Sequence, residues 1–441
     1  MSAGFGDGTA PRAPHDPVHA SATDPWRAAG PLRLAALPPL ALYVHLPWCL
    51  RKCPYCDFNS HALRPGGRDD PAVAVHHPAP GAPGVAGTAA LDPLLERRYL
   101  DALRADLETA LPGVWGRPVH SVFLGGGTPS LFSPDGIARL LGELRARLPL
   151  VPGCEISLEA NPGSFERARF RAYRQAGVTR LSIGVQSFDD ARLVRIGRVH
   201  DAAQAHAAVA EAASAFETFN LDLMYALPGQ DLAALGRDLD AALAYAPPHL
   251  SIYHLTVEPN TRFAVRRPEA LPDEDTAARM LDLIVGRTAA TGLQRYEVSA
   301  FARPGHRCAH NLNYWTFGDY LGLGPGAHGK LSSHEGIRRE MRHKHPGRYL
   351  EGAARGDFIQ EAREVAVAEL PFEFMMNALR LTEGVPAKLF AARTGVPIEA
   401  ITDELAQARE RGLLETAEGQ LRPTLQGRRF LNELLQVFLR D

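Results

Sequence analysis

Long apolar runs are missing from this 441-residue chain. None approaches the roughly 18 to 20 residues that a membrane-spanning helix needs, so no span is expected. The N-terminus has no basic segment followed by an apolar core, so no secretory signal is expected either. Charge of one sign is not in excess: 48 Lys and Arg face 50 Asp and Glu. A general nucleic-acid binder should be clearly basic, so nucleic acid is not an expected partner. Cysteine is scarce, with five in the whole chain. That is too few for a disulfide framework and points to a reducing, cytoplasmic compartment. The length leaves room for about two to three domains with an ample core.

What cysteine there is, is concentrated. Cys49, Cys53 and Cys56 lie within eight residues, spaced C-x3-C-x2-C, after an apolar run that reads as a strand. Thiolates are soft ligands that favour iron–sulfur clusters or zinc. A structural zinc site would need a fourth ligand, which the neighbourhood does not supply. Three free thiols are the other alternative. The spacing after a strand favours a [4Fe-4S] cluster, which with three thiolates keeps one iron open.

The segment 1–38 is rich in Ala, Pro and Gly without periodicity and is expected to be a disordered extension. A similar stretch at 61–92 reads as a flexible insertion, in which His76 and His77 are expected to be solvated rather than metal ligands. From residue 94 a helical pattern sets in, and strands then alternate with helices. Six strands are expected, at 42–46, 121–124, 155–158, 180–185, 219–225 and 250–255. Helices are expected from 94, from Ser133-Pro134, over 165–175 and over 201–215. Six βα units in series imply a parallel sheet, short of an eight-stranded barrel. The expected fold is α/β, a partial (β/α)6 barrel open on one side.

In such barrels chemistry sits at the carboxyl ends of the strands. The second strand runs into Gly125-Gly126-Gly127-Thr128-Pro129, where backbone groups can approach a ligand closely. The third ends at Glu159-Ala160-Asn161, the fourth at Gln186, and Arg198 follows. The fifth carries Asp222. Singly, each of these is more often a cap or a surface group. Together they suit a ligand bearing hydroxyls, an ammonium and a carboxylate.

The cysteine loop with Tyr55 before its last cysteine resembles the signature of the radical S-adenosylmethionine (SAM) superfamily. The resemblance implies a [4Fe-4S] cluster on Cys49, Cys53 and Cys56, with SAM bound through its amine and carboxylate to the open iron. It implies that Gly126, Gly127 and Thr128 hold the methionyl amino group. Tyr43, Tyr55, Glu159, Gln186, Arg198 and Asp222 match further cofactor positions. Tyr43 to Cys49 with Cys53 to Ser60 resembles the branch around oxygen-independent coproporphyrinogen III oxidase, and within it most closely the HemW-type haem chaperones. The oxidase pattern has another cysteine two residues after the third, where this chain has Phe58. The chaperones carry H-N-x-x-Y-W, matched by His310-Asn311-Leu312-Asn313-Tyr314-Trp315. Imidazole ligates haem iron and aromatic rings can cover the macrocycle, so His310, Tyr314, Trp315 and the nearby Cys308 become candidate haem contacts. A packed loop with a satisfied histidine is the alternative. The glycine-rich 319–328 reads as a loop and is assigned no chemistry.

The core is expected over 39–270, an extension with the His310 motif over 271–365, and a small winged-helix-like α+β domain over 366–441. From Pro371 onward nine Lys and Arg face ten Asp and Glu, which favours packing or partner docking over DNA. The resemblance implies a cytosolic SAM-binding haem carrier, whose partners are haem and acceptor haemoproteins, some at the membrane surface, and an electron donor if SAM is cleaved. The alternative is a radical enzyme that oxidises porphyrinogen propionates.

Overall fold

The computed structural model describes residues 34–63, 75–76, 90–163, 167, 169–417 and 419–440. The expected N-terminal extension, apart from 34–38, and most of the 61–92 insertion with His77 lie outside the described residues. Among the described residues, no helix is long and apolar enough to cross a membrane.

One sheet of twelve strands organises the molecule. The six expected strands are β1 (Leu40–Leu46), β2 (Val119–Gly126), β3 (Leu150–Ala160), β4 (Arg180–Gln186), β5 (Thr218–Tyr225) and β6 (His249–His254). They pair in parallel, each beside its predecessor in sequence. β1 is buried over nearly its whole length and reads as an apolar run rather than an alternation. That is the pattern of a parallel strand covered on both faces. Beyond β6, β7 (Gln294–Arg295) and β8 (Ala300–Ala302) add an antiparallel margin. The order is linear, so the barrel stays open.

Local chemistry explains the helices. Asp92 caps Pro93–Val114 by accepting from the Leu94 and Leu95 amides. Ser133 caps Pro134–Arg147 with proline at the first position, and Asp201 with Gln204 forms a capping box on Ala202–Ala215. The third expected helix is Phe170–Ala176. Helices Leu232–Leu243 and Glu274–Ala290, not anticipated above, are capped by Asp231 and Asp273.

The glycine-rich stretch expected to be a loop is half strand. β9 (Asp319–Leu323) pairs in parallel with β1 and makes a seventh parallel strand. A tight turn through Gly324 (φ 96°) and Gly326 (φ 75°) leads into β10 (His328–Ser332), followed by antiparallel β11 (Ile337–Arg342) and β12 (Ile359–Glu364). Gly322 sits within the strand because a Cβ there would meet the His328 carbonyl oxygen at 2.1 Å. The glycine marks a close backbone approach, not a break in the strand.

The C-terminal part packs helices Leu370–Ala378, Lys388–Thr394 and Thr402–Glu410 with a two-stranded wing, Val385–Pro386 against Gln420–Leu421. The chain ends in two short helices, Leu425–Arg429 and Leu431–Gln436, separated where Phe430 leaves helical backbone. This part shares a core with Tyr296, Phe317, Ile337 and Val365. Arg339 and Arg307 tie it further, to Glu373 and Glu383.

A buried charge pair fastens the start of β9. Asp319 accepts from Lys330, from Arg117 and from both the amide and hydroxyl of Ser332. Burial would raise the Asp319 carboxyl, but Lys330 and Arg117 hold it below its ordinary value. Lys330 in turn is capped by the Phe317 and Gly318 carbonyls. Removing one partner of a buried pair leaves an uncompensated charge, at about 3–5 kcal/mol. Asp319→Ala should therefore lower the unfolding free energy by about that amount in urea titrations. A loss below about 1 kcal/mol would show the pair to be incidental.

Candidate functional site

The cysteine loop leaves the carboxyl end of β1 and is pinned on three sides. Trp48–Cys49 pairs with His61–Ala62, which closes the loop on itself. The Cys56 amide donates to the Cys53 carbonyl at 3.2 Å. Each thiol has a neighbour from another element or turn: Thr128 Oγ1 lies 3.4 Å from Cys49 Sγ, Arg198 Nη1 3.7 Å from Cys53 Sγ and Ser60 Oγ 3.7 Å from Cys56 Sγ. All three sulfurs are free and line one cavity of about 150 Å³. Burial pushes Cys49 up to about 11 and raises Cys56. Such thiols ionise readily only when a cation offsets the burial, which a bound metal does.

The glycine loop after β2 packs directly on the cysteine loop. The Gly127 amide donates to the Leu46 carbonyl at 2.8 Å and the Thr128 amide to the Trp48 carbonyl at 2.7 Å. A Cβ on Gly127 would meet Pro47 and Trp48 backbone atoms at 2.6 Å, and one on Gly126 (φ 112°) would strike the His45 ring at 2.5 Å. The Gly126 amide donates to Glu159 Oε2 at 3.0 Å. All three amides are thus engaged within the protein. Toward a ligand this loop has carbonyl acceptors to offer, which suits an ammonium.

The strand ends bring Glu159, Gln186, Arg198 and Asp222 to the wall of the same cavity. Arg198 donates to Asn161 Oδ1 and to the Gly184 carbonyl, both at 2.6 Å, while its Nε has no partner. Asp222 accepts from Ser182 Oγ at 3.0 Å and from Asn220 Nδ2 at 2.8 Å. Burial raises the Asp222 carboxyl. Burial, then the charge of Asp222, lifts Glu159 to about 7. Gln186 holds a left-handed backbone (φ 68°) at the end of β4, a strain of about 1–3 kcal/mol that turns the chain at the cavity wall. Tyr55 lies against the sulfurs too, interacting with Cys53 and Arg198. Two half-buried carboxylates and one guanidinium atom left unpartnered suit a zwitterion that also carries cationic character.

A second, larger cavity of about 640 Å³ adjoins the first and shares Phe58, Ser60, Gly126 and Glu159 with it. Tyr43 lines this cavity, with its hydroxyl 2.9 Å from His45 Nδ1. Tyr314 and Trp315 line it as well. The two other candidate haem contacts are placed differently. His310 is buried, its Nδ1 hydrogen-bonded to Ser121 Oγ at 3.1 Å and its Nε2 to Tyr314 Oη at 3.0 Å. Its ring stacks on Phe123, and burial holds it down to about 3. Both ring nitrogens are engaged within the protein in this arrangement. Cys308 is buried with its thiol 3.5 Å from Glu155 Oε1, in contact with protein rather than with either cavity's lining. Placement in the sheet decides this. The helix Ala309–Trp315 lies across β2, so its first turn faces the core and its last turn the cavity.

Ser182, Asn220 and His45 carry no sequence expectation, and Asn161 is given no role there beyond ending the third strand. Asn161 bridges Thr128 and Arg198. It stands two residues after Glu159, and Asn220 two before Asp222. The period-2 alternation of a strand was the available signal for both. His45 is recognisable only through its packing on Gly126.

Comparison with known proteins gives concordant results. The model of the radical SAM superfamily matches residues 43–242, and that of the HemN C-terminal domain matches 365–430. Heme chaperone HemW of Haemophilus influenzae is 43% identical over 92% of this chain and 99% of its own. The Escherichia coli protein of the same name is 42% identical over 92% and 100%, and that of Mycobacterium tuberculosis (strain H37Rv) 38% over 88% and 94%. The solved structure of coproporphyrinogen III oxidase HemN from Escherichia coli aligns with a TM-score of 0.73, covering 91% of this chain and 90% of that one, at 22% identity. That likeness shows the fold.

Three thiols around one cavity make a direct test. Replacing Cys49, Cys53 or Cys56 by Ser should each abolish bound iron and acid-labile sulfide after anaerobic reconstitution. Cys154→Ser, on β3, should leave both intact. Full iron and sulfide after replacement of Cys53 would show that the loop does not hold the cluster.

Proposed function

The chain belongs to the heme chaperone HemW family within the radical SAM superfamily, and on that footing we propose that it binds haem and transfers it to acceptor haemoproteins. The near-full-length identity to relatives named for this role carries the reading. Acceptors at the cytoplasmic membrane surface belong to the same proposal.

The residues of the smaller cavity fit a [4Fe-4S] cluster with SAM. Three thiols converge, the amides of Gly126, Gly127 and Thr128 are already donated within the protein and so do not face a ligand cation, and Arg198 Nε awaits an acceptor. Cys49, Cys53 and Cys56 would hold the cluster, which would supply a metal site for SAM and an electron for its reductive cleavage. Glu159 orients the glycine loop through the Gly126 amide and places a carboxylate beside the ligand ammonium. Asn161 and Gly184 hold the Arg198 guanidinium against Cys53, where its charge stabilises a thiolate. Ser182 and Asn220 fix both oxygens of Asp222. An electron donor enters only if SAM is cleaved.

Phe58, the residue at the position where the oxidase pattern has a further cysteine, is exposed on the rim shared by the two cavities. An aromatic ring there provides apolar surface and no thiol. We therefore expect haem binding without conversion of coproporphyrinogen III. Reconstituted protein titrated with haemin should develop a Soret band, and the loaded chain should restore the spectrum of an apo-haemoprotein mixed with it. Robust decarboxylation to vinyl product in the presence of SAM and reductant would instead establish the enzyme reading, and absence of any Soret change would remove the chaperone reading.

The raised Glu159 carboxyl gives SAM binding a pH dependence. Below about 7 the group is protonated, so a cationic ligand must drive off a proton to bind. Affinity should rise with pH, by up to about tenfold per unit, and level off above that value. Calorimetry on the cluster-loaded protein should show this slope in the wild type and a flat profile in Glu159→Gln. Equal slopes in the two would assign the titration elsewhere.

A further inference from the structure

The larger cavity holds one imidazole that the protein leaves unengaged. His45 is bonded through both nitrogens, to Tyr43 Oη and to the Asn59 carbonyl. His61 Nε2 lies 3.3 Å from Asn59 Oδ1. His328, at the first position of β10, lines the same cavity and is exposed, and its ring has no hydrogen-bond partner among the described residues. It is placed there by the turn after β9. Gly322 lets the His328 backbone cross at a distance no side chain would allow. Residues two apart on a strand share a face, and Lys330 lines the cavity beside it.

The rest of the wall suits a flat, apolar, dianionic macrocycle. Tyr314, Trp315 and Phe58 supply aromatic surface. Trp315 Nε1 is buried without a partner, although Arg380 stacks on the ring. Four cations line the space. Lys330 and Arg339 are matched by Asp319 and Glu373. Among the described residues, Lys344 has no carboxylate partner and Lys52 donates only to the Phe58 carbonyl. Two carboxylates, Asp57 and Glu159, also line the wall, the second held by the Gly126 amide. A volume of about 640 Å³ falls within the ~300–1,000 Å³ of sites that enclose a cofactor-sized ligand.

We propose that haem binds in this cavity with His328 as an axial ligand of its iron, Tyr314 and Trp315 against the macrocycle, and Lys52 and Lys344 on its propionates. The inference rests on the haem reading above and names the site for it. It also places haem beside the SAM cavity, since the two share Phe58, Ser60, Gly126 and Glu159.

The experiment is a haemin titration of the full-length, cluster-loaded chain and its variants, followed by the Soret band and by resonance Raman spectroscopy of the iron–histidine mode. His328→Gly should lose the histidine signature and bind haemin on the order of tenfold more weakly. Added imidazole should restore the wild-type Soret position, which a general loss of structure would not permit. Lys52→Glu with Lys344→Glu should weaken binding and leave the Soret position unchanged. If the wild type binds haemin and His328→Gly keeps its spectrum and affinity, the site is overturned while the haem reading stands. The same holds if the histidine signature vanishes in His310→Ala alone. If the wild type itself shows no Soret change, both the haem reading and this site fall together.

Discussion

The close contact between two backbones governs this structure. The Gly126–Thr128 loop donates amides to Leu46 and Trp48, at a separation where a Cβ on Gly127 would collide with main chain. That contact locks the mouth of β1 to the mouth of β2. It sets Thr128 beside the first thiol and turns the Gly126 amide toward Glu159. A side chain at either glycine displaces the loop that carries the cysteines, so the metal loop and its neighbouring binding wall cannot vary independently.

The electrostatics around that contact are organised for a ligand. Glu159 and Asp222 are half-buried and close enough that the charge of Asp222 disfavours that of Glu159, and Arg198 is half-buried among neutral acceptors and a thiol. Left to themselves, buried carboxylates raise their proton affinity. A ligand with an ammonium and a sulfonium would relieve that repulsion, and one with a carboxylate would engage the guanidinium. The structure therefore places its unfavourable electrostatic energy where binding can recover it. The Asp319–Lys330–Arg117 cluster is the opposite case. Its charges are mutually satisfied, and it works as a fastener.

That fastener matters for the second cavity. By holding the start of β9 and the middle of β10 together, it fixes the turn between them and with it His328. The C-terminal part closes the far side, where Asn377 lines the cavity and Glu373 holds Arg339. Much of its basic charge is likewise matched within the chain, with Arg380 on Glu297, Arg422 on Glu415 and Arg440 on Glu404. The small domain thus helps shape the space next to the cysteine loop.

The sequence by itself determined the six parallel strands, their order and the site elements at their ends. Continuous apolar runs, capping residues and cysteine spacing are local signals, and each strand of a βα series is laid beside its predecessor by short right-handed crossovers. Glu159, Gln186, Arg198 and Asp222 converge for that reason alone. Tertiary structure decided what local chemistry could not encode. Asp319–Leu323 became a seventh parallel strand because β1 had a free edge to pair with, although its glycines read as a turn. His310 became a packed, doubly bonded residue because its helix lies across β2, while its neighbours Tyr314 and Trp315 reached the cavity. His328, an unremarkable histidine in sequence, gained its position from a hairpin crossing that only one glycine permits. Residues on one strand share a face by simple alternation. Residues that meet across the sheet do so through packing, which depends on every other element at once.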